Sequence, residues 1–162
     1  MKIATYNVNS IRQRLPIVLD WIAEHKPDVM CLQETKVQDQ DFPVDAIRKA
    51  GYHATFRGMK GYNGVATLTR ALPEKVLFGL HEGPDSEDFR IIQTVVDGIP
   101  IVNSYVPQGY SISSEKYALK WPGFGGCALI LKLRLVLICR RSGLEISTSR
   151  QSRLMSTILT SA

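Results

Sequence analysis

The feature that most constrains this chain is a strand–helix–strand order at its start. Residues 2–6 alternate apolar and polar side chains, as a half-buried strand does. Apolar residues then recur at the spacing of one buried helix face: Ile11, Leu15, Val18, Leu19 and Ile22. Pro27 and Asp28 end this helix, and residues 29–32 form the short apolar run of a fully buried strand. The order predicts an α/β fold that opens with a βαβ unit.

Further elements follow at short intervals. Ser10 stands where an N-cap of the first helix is expected. A second helix is predicted over residues 44–49, before Gly51. Turn residues then separate five strand candidates, at residues 52–56, 64–69, 76–80, 90–96 and 99–105. Closely spaced strands after a βαβ opening favour a mixed sheet.

The chain changes character after Lys120. Its net charge is +5, yet the Lys and Arg of residues 1–120 are balanced by Asp and Glu. Residues 121–162 hold six basic side chains and one acid, Glu145. This asymmetry is typical of a phosphate-binding tail, and equally of a tail with a different origin. We therefore predict a partial domain over residues 1–120 and an irregular, poorly ordered basic tail over residues 121–162.

Composition excludes several classes of protein. The chain is 44% hydrophobic and 22% charged, which is typical of a globular protein rather than a disordered or membrane one. The longest apolar run, residues 127–139, is interrupted by Lys132 and Arg134 and is too short to cross a bilayer. The N-terminus enters a strand pattern without a signal-peptide core, which predicts a cytoplasmic protein. The three cysteines lack the spacing of a zinc site or a disulfide scaffold.

Polar side chains follow the first two predicted strands. Asn7 and Glu34 lie at the carboxyl ends of these strands, where open α/β sheets collect their ligands. A carboxylate and a side-chain amide are oxygen ligands that suit Mg²⁺. Asn9 extends the same rim. The same residues also fit a structural interpretation, with Asn7 and Asn9 as loop residues and Glu34 as a solvated acid.

Two later stretches also carry candidates. Residues 103–109 run from a strand into a turn, where Tyr105 could donate to a phosphate oxygen and Gln108 could hold another. A half-buried strand tyrosine before a turn explains that pattern equally well. The glycine-rich residues 58–64, with one lysine and one aromatic side chain before Asn63, suit a loop against the DNA backbone or an ordinary hairpin turn.

Four stretches taken together closely resemble the exodeoxyribonuclease III branch of the endonuclease/exonuclease/phosphatase superfamily, whose members cut DNA at abasic sites. They are residues 1–12, Leu-Gln-Glu-Thr-Lys at 32–36, Gly-Tyr-Asn-Gly-Val-Ala at 61–66, and Asn-x-Tyr-x-Pro-x-Gly at 103–109. The resemblance covers residues 1 to about 120. It implies the N-terminal half of a four-layer, DNase I-like α/β sandwich, with the active site between two sheets.

The resemblance also implies roles for individual residues and a substrate. Asn7 and Glu34 would hold Mg²⁺, with Mn²⁺ as an alternative, and would form the catalytic group together with Tyr105. Three more side chains would bind DNA and its phosphates: Asn9, Lys36 and Gln108. The partner would be duplex DNA with abasic sites or 3′ ends, bound by a monomer that does not associate with membranes.

The second half of the family pattern is absent from the printed sequence. Family members carry a Gly-Asp-x-Asn run and a later Ser-Asp-His end, whereas no Asp follows Asp97 here and no His follows His81. Without them a base for the attacking water is missing, so we expect a poorly folded, inactive chain. Back-translated and read one base out of register, residues 144–151 can spell Gly-Asp-Leu-Asn-Ile-Ala-Pro. We therefore interpret the tail as frameshifted.

The leading hypothesis is a DNA-repair nuclease that hydrolyses phosphodiester bonds with Mg²⁺. Two alternatives remain. One is a non-catalytic fragment that binds nucleic acid through its basic tail. The other is a superfamily phosphoesterase that acts on another phosphate ester, because the metal site is shared within the superfamily.

Overall fold

The computed structural model describes residues 1–79 and 89–105, and the backbone of residues 137–138, 144–147 and 155–160. The described helices are α1 (Ile11–His25) and α2 (Val44–Lys49), with a 3-10 turn at Asp39–Asp41. The described strands are β1 (Lys2–Asn7), β2 (Val29–Gln33), β3 (His53–Met59), β4 (Tyr62–Thr69), β5 (Lys75–Phe78), β6 (Ile91–Val96), β7 (Ile99–Ser104), β8 (Leu137–Ile138), β9 (Leu144–Ser147) and β10 (Met155–Thr160). None of the helices in these ranges is long and apolar enough to span a membrane.

The first sheet, sheet A, contains the predicted βαβ unit. Its strand order is β3-β4-β2-β1-β10-β9. β1 and β2 run parallel, with Asn7 opposite Gln33, and α1 connects them. The other neighbouring strands in the sheet are antiparallel. A parallel pair places both carboxyl ends at one edge of a sheet, so the residues after β1 and β2 emerge side by side.

The second sheet, sheet B, lies against one face of sheet A. Its order is β5-β6-β7-β8, with antiparallel neighbours throughout. Between the sheets lies a cluster of buried side chains from both: Ile3, Val29, Cys31, Val96 and Ile101. The opposite face of sheet A packs on α1 and α2 through a larger cluster that includes Val18, Ile22, Met30, Leu32, Ile47 and Leu68. The mixed α/β class and the two packed sheets are confirmed.

The start of α1 differs from the expectation for Ser10. This residue has a φ of 96° and its side chain makes no capping hydrogen bond. Instead, the Ser10 N–H donates to the Glu34 carbonyl at 2.8 Å, and the Ile11 N–H donates to the Thr35 carbonyl at 3.0 Å. Because the loop after β2 supplies these acceptors, the beginning of α1 and the backbone of Glu34 hold each other in place.

The described part of the tail forms strands, where the sequence predicts an irregular segment. β10 pairs antiparallel with β1, β9 pairs with β10, and β8 pairs with β7. The Ile, Leu and Thr residues of β10 suit a strand, and the edge of β1 offers backbone groups for pairing. The domain boundary at residue 120 remains a prediction.

Cys31 is expected to resist thiol reagents in the folded chain. It lies in β2 with no exposed area, and burial raises the pKa of its thiol to about 12. The thiolate is the reactive species, so iodoacetamide at pH 8 should modify Cys31 at least about tenfold more slowly than in urea. Timed quenching followed by peptide mass spectrometry measures both rates. Equal rates in the native and unfolded chains would contradict the burial of β2.

Candidate active site

Asn7 and Glu34 meet at the shared edge of β1 and β2. Asn7 is the last residue of β1, and Glu34 follows the last residue of β2. Asn7 Nδ2 donates to Glu34 Oε1 at 2.7 Å. Glu34 has a φ of 54°, so the chain leaves β2 through a left-handed turn. The structure therefore brings Asn7 and Glu34 together, as their predicted positions at the carboxyl ends of the first two strands indicated.

Lys36 and Asn9 close a polar network around the carboxylate. Lys36 Nζ lies 3.1 Å from Glu34 Oε2 and also donates to Asn9 Oδ1. The Asn9 N–H in turn donates to Asn7 Oδ1 at 3.1 Å. The ammonium of Lys36 is thus bound within the site. Its expected contact with DNA phosphate, like that of Asn9, stays a prediction.

Tyr105 reaches the same carboxylate from the other sheet. It directly follows β7, and its N–H donates to the Arg90 carbonyl at 2.8 Å. Its hydroxyl is hydrogen-bonded to the Glu34 side chain. Asn7, Glu34 and Tyr105 therefore converge where sheets A and B meet. Gln108, predicted to hold a phosphate oxygen, lies outside the described residues.

The surroundings of Glu34 and Tyr105 shift both of their pKa values. Burial raises the pKa of Glu34, but hydrogen bonds from Asn7, Lys36 and Tyr105 and the Lys36 charge outweigh it, so the pKa is lowered. The pKa of Tyr105 is raised, first by burial and then by the charge and hydrogen bond of Glu34, against a smaller effect of Arg90. At neutral pH the site thus combines an ionised carboxylate with a protonated phenol.

The donor atoms of the site suit part of a Mg²⁺ coordination shell. Mg²⁺ is usually held by one or two carboxylates together with waters and substrate phosphate. Glu34 supplies one carboxylate, and its Oε2 and the Oδ1 of Asn9 both contact the Lys36 ammonium. No cluster of three or more His, Cys, Asp or Glu occurs in the described ranges. The residues present therefore fit a partial metal site.

The hairpin between β3 and β4 supports the loop of Glu34, a role that sequence reasoning missed. The Thr35 N–H donates to the Gly64 carbonyl at 3.1 Å, and the Lys36 N–H donates to the Asn63 carbonyl at 3.1 Å. Gly64 has a φ of 85°, and a β-carbon there would overlap Thr35 Oγ1. The hairpin interpretation of residues 58–64 is confirmed, whereas their contact with DNA stays a prediction.

A hydrogen-bonded amide pair below the site, with Asn103 buried and Gln33 half-buried, was also missed. Asn103 in β7 has no exposed area, and its Oδ1 accepts from Gln33 Nε2 at 2.9 Å. Gln33 lies in the Leu-Gln-Glu-Thr-Lys run, and Asn103 begins the Asn-x-Tyr-x-Pro-x-Gly run. A polar residue inside a predicted strand is the sequence signal that could have indicated a buried hydrogen bond. The pairing of Gln33 with Asn103 could not be predicted, because it depends on how the sheets pack.

A surface groove of about 460 Å³ lies away from these residues. It is lined by side chains and backbone around the amino end of β2: Asp28, Gly51, Arg70, Ala71, Val96 and Asp97. Asp28 precedes β2, whereas Glu34 follows it. The groove is therefore at the opposite end of sheet A, and it carries no part of the candidate chemistry.

This chain is similar to known proteins in sequence and in structure. The profile of the Endonuclease/Exonuclease/phosphatase family matches residues 4–152. Exodeoxyribonuclease III of Haemophilus influenzae is 38% identical over 120 residues, which cover 71% of this chain. An AP endonuclease from Archaeoglobus fulgidus superposes with a TM-score of 0.69 and 50% identity over 74% of this chain. The 3′ phosphatase NExo from Neisseria, solved with a product DNA hairpin, gives a TM-score of 0.73 and 38% identity over 82% of this chain.

These relatives are longer than the present chain. The match covers 45% of the Haemophilus protein, 46% of the Archaeoglobus chain and 51% of the Neisseria chain. The chain thus spans about half the length of the relatives that it matches.

Proposed function

Because this chain belongs to the endonuclease/exonuclease/phosphatase family, we propose that it carries one half of a divalent-metal site for DNA phosphodiester hydrolysis. The observation that carries the proposal is the position of the Glu34 carboxylate. It accepts hydrogen bonds from Asn7 of β1, from Lys36 in the loop after β2, and from Tyr105, which follows β7. A carboxylate held ionised beside a neutral phenol suits the binding of a metal together with a phosphate.

Each residue then has a distinct task. Glu34 would hold Mg²⁺ and Asn7 would fix the orientation of its carboxylate, while the second lone pair of Asn7 Oδ1 stays available as a ligand. When bound, the metal would polarise a phosphate oxygen and offset its developing charge. Tyr105 stays protonated at neutral pH because its pKa is raised, so its hydroxyl is a donor for another phosphate oxygen.

Duplex DNA with abasic sites or 3′ ends is the proposed substrate. The matched relatives include an exodeoxyribonuclease, an AP endonuclease and a 3′ phosphatase bound to a DNA hairpin. The β3–β4 hairpin adjoins the site and presents the exposed side chains of Lys60 and Tyr62. A cation beside an aromatic ring suits contact with a nucleic-acid backbone and its bases. We place this chemistry in a cytoplasmic monomer.

We propose that this chain alone is inactive under multiple turnover, so any cleavage has to be measured with protein in excess over DNA. A water nucleophile needs a base, and the sequence lacks the Gly-Asp-x-Asn run that would supply it. Metal binding is therefore the sharper first test of the site, because it does not require a complete reaction.

The affinity of the chain for Mn²⁺, measured by the relaxation enhancement of water protons, tests whether Glu34 binds a metal ion. Glu34→Gln should weaken Mn²⁺ binding by at least about tenfold, since it replaces the anionic ligand by a neutral one of the same shape. Glu24→Gln is the matched control, because Glu24 is exposed on α1 and its ion-pair partner among the described residues is His25, 3.8 Å away. Equal affinities in the wild type and Glu34→Gln would overturn the proposed metal site.

DNA binding separates this proposal from the basic-tail alternative. If the tail alone carries the function, salt-sensitive binding to duplex DNA will survive Glu34→Gln and disappear when residues 121–162 are deleted. The nuclease proposal instead predicts Mg²⁺-dependent nicking of an abasic duplex, measured with protein in excess, and its loss in Glu34→Gln. Nicking that is unaffected by Glu34→Gln would contradict it.

A further inference from the structure

Asn103 is a buried amide that crosses from one sheet to the other. It lies in β7 of sheet B and has no exposed area. Its Nδ2 lies 3.3 Å from the Leu32 carbonyl, 2.9 Å from the Ala66 carbonyl and 3.3 Å from Thr67 Oγ1. These acceptors belong to β2 and β4, which are neighbouring strands of sheet A. One side chain of sheet B is therefore hydrogen-bonded to two strands of sheet A.

The acceptor atom of the same amide is occupied by Gln33. Gln33 Nε2 donates to Asn103 Oδ1 at 2.9 Å and to Thr5 Oγ1 at 3.0 Å. Asn103 thus has partners for both its donor and its acceptor groups, although it is removed from water. Burying an amide is costly unless it is bonded in this way, so the pair tolerates little displacement of one sheet against the other.

Gln33 and Asn103 adjoin the two residues that must meet in the site. Gln33 is followed directly by Glu34, and Asn103 stands two residues before Tyr105. Glu34 and Tyr105 come from different sheets, so their hydrogen bond depends on how the sheets are aligned. Apolar contacts between sheets have little directional preference, whereas hydrogen bonds require a defined distance and angle.

We propose that Asn103 and Gln33 form a positioning pair that fixes the Tyr105 hydroxyl against the Glu34 carboxylate. The pair acts through sheet alignment and touches neither metal nor phosphate. The contacts of Asn103 and Gln33 with both sheets support this role. The effect of the pair on phosphodiester cleavage rests on the proposed function.

Thr94 provides a matched control in the same sheet. It lies in β6, opposite Ile101 of β7, and is 1% exposed. Its hydroxyl has no hydrogen-bond partner among the described residues. Thr94→Val therefore changes a buried polar group of sheet B without breaking a described bond to sheet A.

A double-mutant cycle on the full chain tests the proposal. The four chains are the wild type, Asn103→Leu, Tyr105→Phe and the double variant, each unfolded in urea at pH 7. If Asn103 positions the Tyr105 hydroxyl, removing that hydroxyl should change the unfolding equilibrium constant at least about threefold less in the Asn103→Leu background. In the Thr94→Val background its effect should match that in the wild type within about twofold. Equal effects in all three backgrounds would overturn the proposal.

Gln33→Met keeps the proposal testable if Asn103→Leu does not fold. This substitution removes the bonds of Gln33 to Asn103 Oδ1 and to Thr5 Oγ1 but leaves the Asn103 bonds to β2 and β4 in place. A cycle between Gln33→Met and Tyr105→Phe should show coupling of the same sign. Additive effects in this second cycle would overturn the positioning pair.

The cycles require neither metal nor DNA, so the two proposals can fail separately. Coupling between Asn103 and Tyr105, with Mn²⁺ affinity unchanged in Glu34→Gln, would support the positioning pair and refute the metal site. Additivity combined with loss of Mn²⁺ binding in Glu34→Gln would refute the positioning pair and leave the metal site.

Discussion

Gly64→Ala is expected to destabilise the folded chain by about 3–5 kcal/mol. Two effects combine at this position. The φ of 85° is unfavourable for alanine, and the added β-carbon would overlap Thr35 Oγ1 in a loop that is buried and hydrogen-bonded to the hairpin. Thr35 is 1% exposed, so it has little room to move aside. Urea unfolding followed by circular dichroism measures the loss.

Gly61→Ala separates backbone strain from steric overlap. Gly61 lies in the same hairpin with a φ of 77°, but nothing lies within 4 Å of an added β-carbon. We expect this variant to lose only about 1–2 kcal/mol. Combining Gly64→Ala with Thr35→Ala should recover part of the larger loss, because the overlapping oxygen is removed. A Gly64→Ala variant as stable as Gly61→Ala would contradict the close approach of the hairpin to the loop of Glu34.

The convergence of Asn7 and Glu34 was predictable because it follows from connectivity. A helix that joins two neighbouring strands favours a parallel pair, and parallel strands have their carboxyl ends at the same edge of the sheet. α2 begins and ends as predicted, since apolar spacing and Gly51 mark it locally. The end of β3 was harder to predict from the sequence. Pairing with β4 extends the strand to Met59, into a glycine-rich stretch whose residues are typical of a turn.

The remaining features of the site depend on contacts between distant residues. Asn103 and Leu32 are 71 positions apart, and no local pattern records that their strands pack face to face. The same is true of the bond between Tyr105 and Glu34. Family resemblance predicts that Lys36 contacts a DNA phosphate, and the distance of 3.1 Å between its ammonium and Glu34 Oε2 is a contact that the resemblance did not predict. The sequence thus indicated candidate residues at the strand ends, while the packing of the sheets determines what each of the described ones contacts.

Tyr105→Phe is expected to slow phosphodiester cleavage by about a hundredfold while Mn²⁺ affinity stays unchanged within about twofold. The reason is that the hydroxyl is placed to donate to charge that develops on the phosphate, whereas the metal is held by Glu34. Single-turnover cleavage of an abasic duplex in Mg²⁺, with protein in excess, measures the rate even for a chain that is inactive under multiple turnover. A Tyr105→Phe chain that cleaves as fast as the wild type would contradict this role.

Tyr52→Phe is the matched control for the loss of a tyrosine hydroxyl. The Tyr52 hydroxyl donates to the Pro27 carbonyl at 2.7 Å, at the far end of sheet A, so its removal should cost about 1 kcal/mol of stability and leave the cleavage rate unchanged.

The pH dependence of cleavage gives a second, independent test of the role of Tyr105. Because the pKa of Tyr105 is raised, its contribution to stability is complete below the unfolded value of about 10 and is lost as the pH rises through the folded value. The phenol stops donating over that same alkaline range, so wild-type cleavage should acquire a dependence on Tyr105 ionisation that the phenylalanine variant lacks. A structural role alone would give the variant lower stability without removing this alkaline limb from the rate.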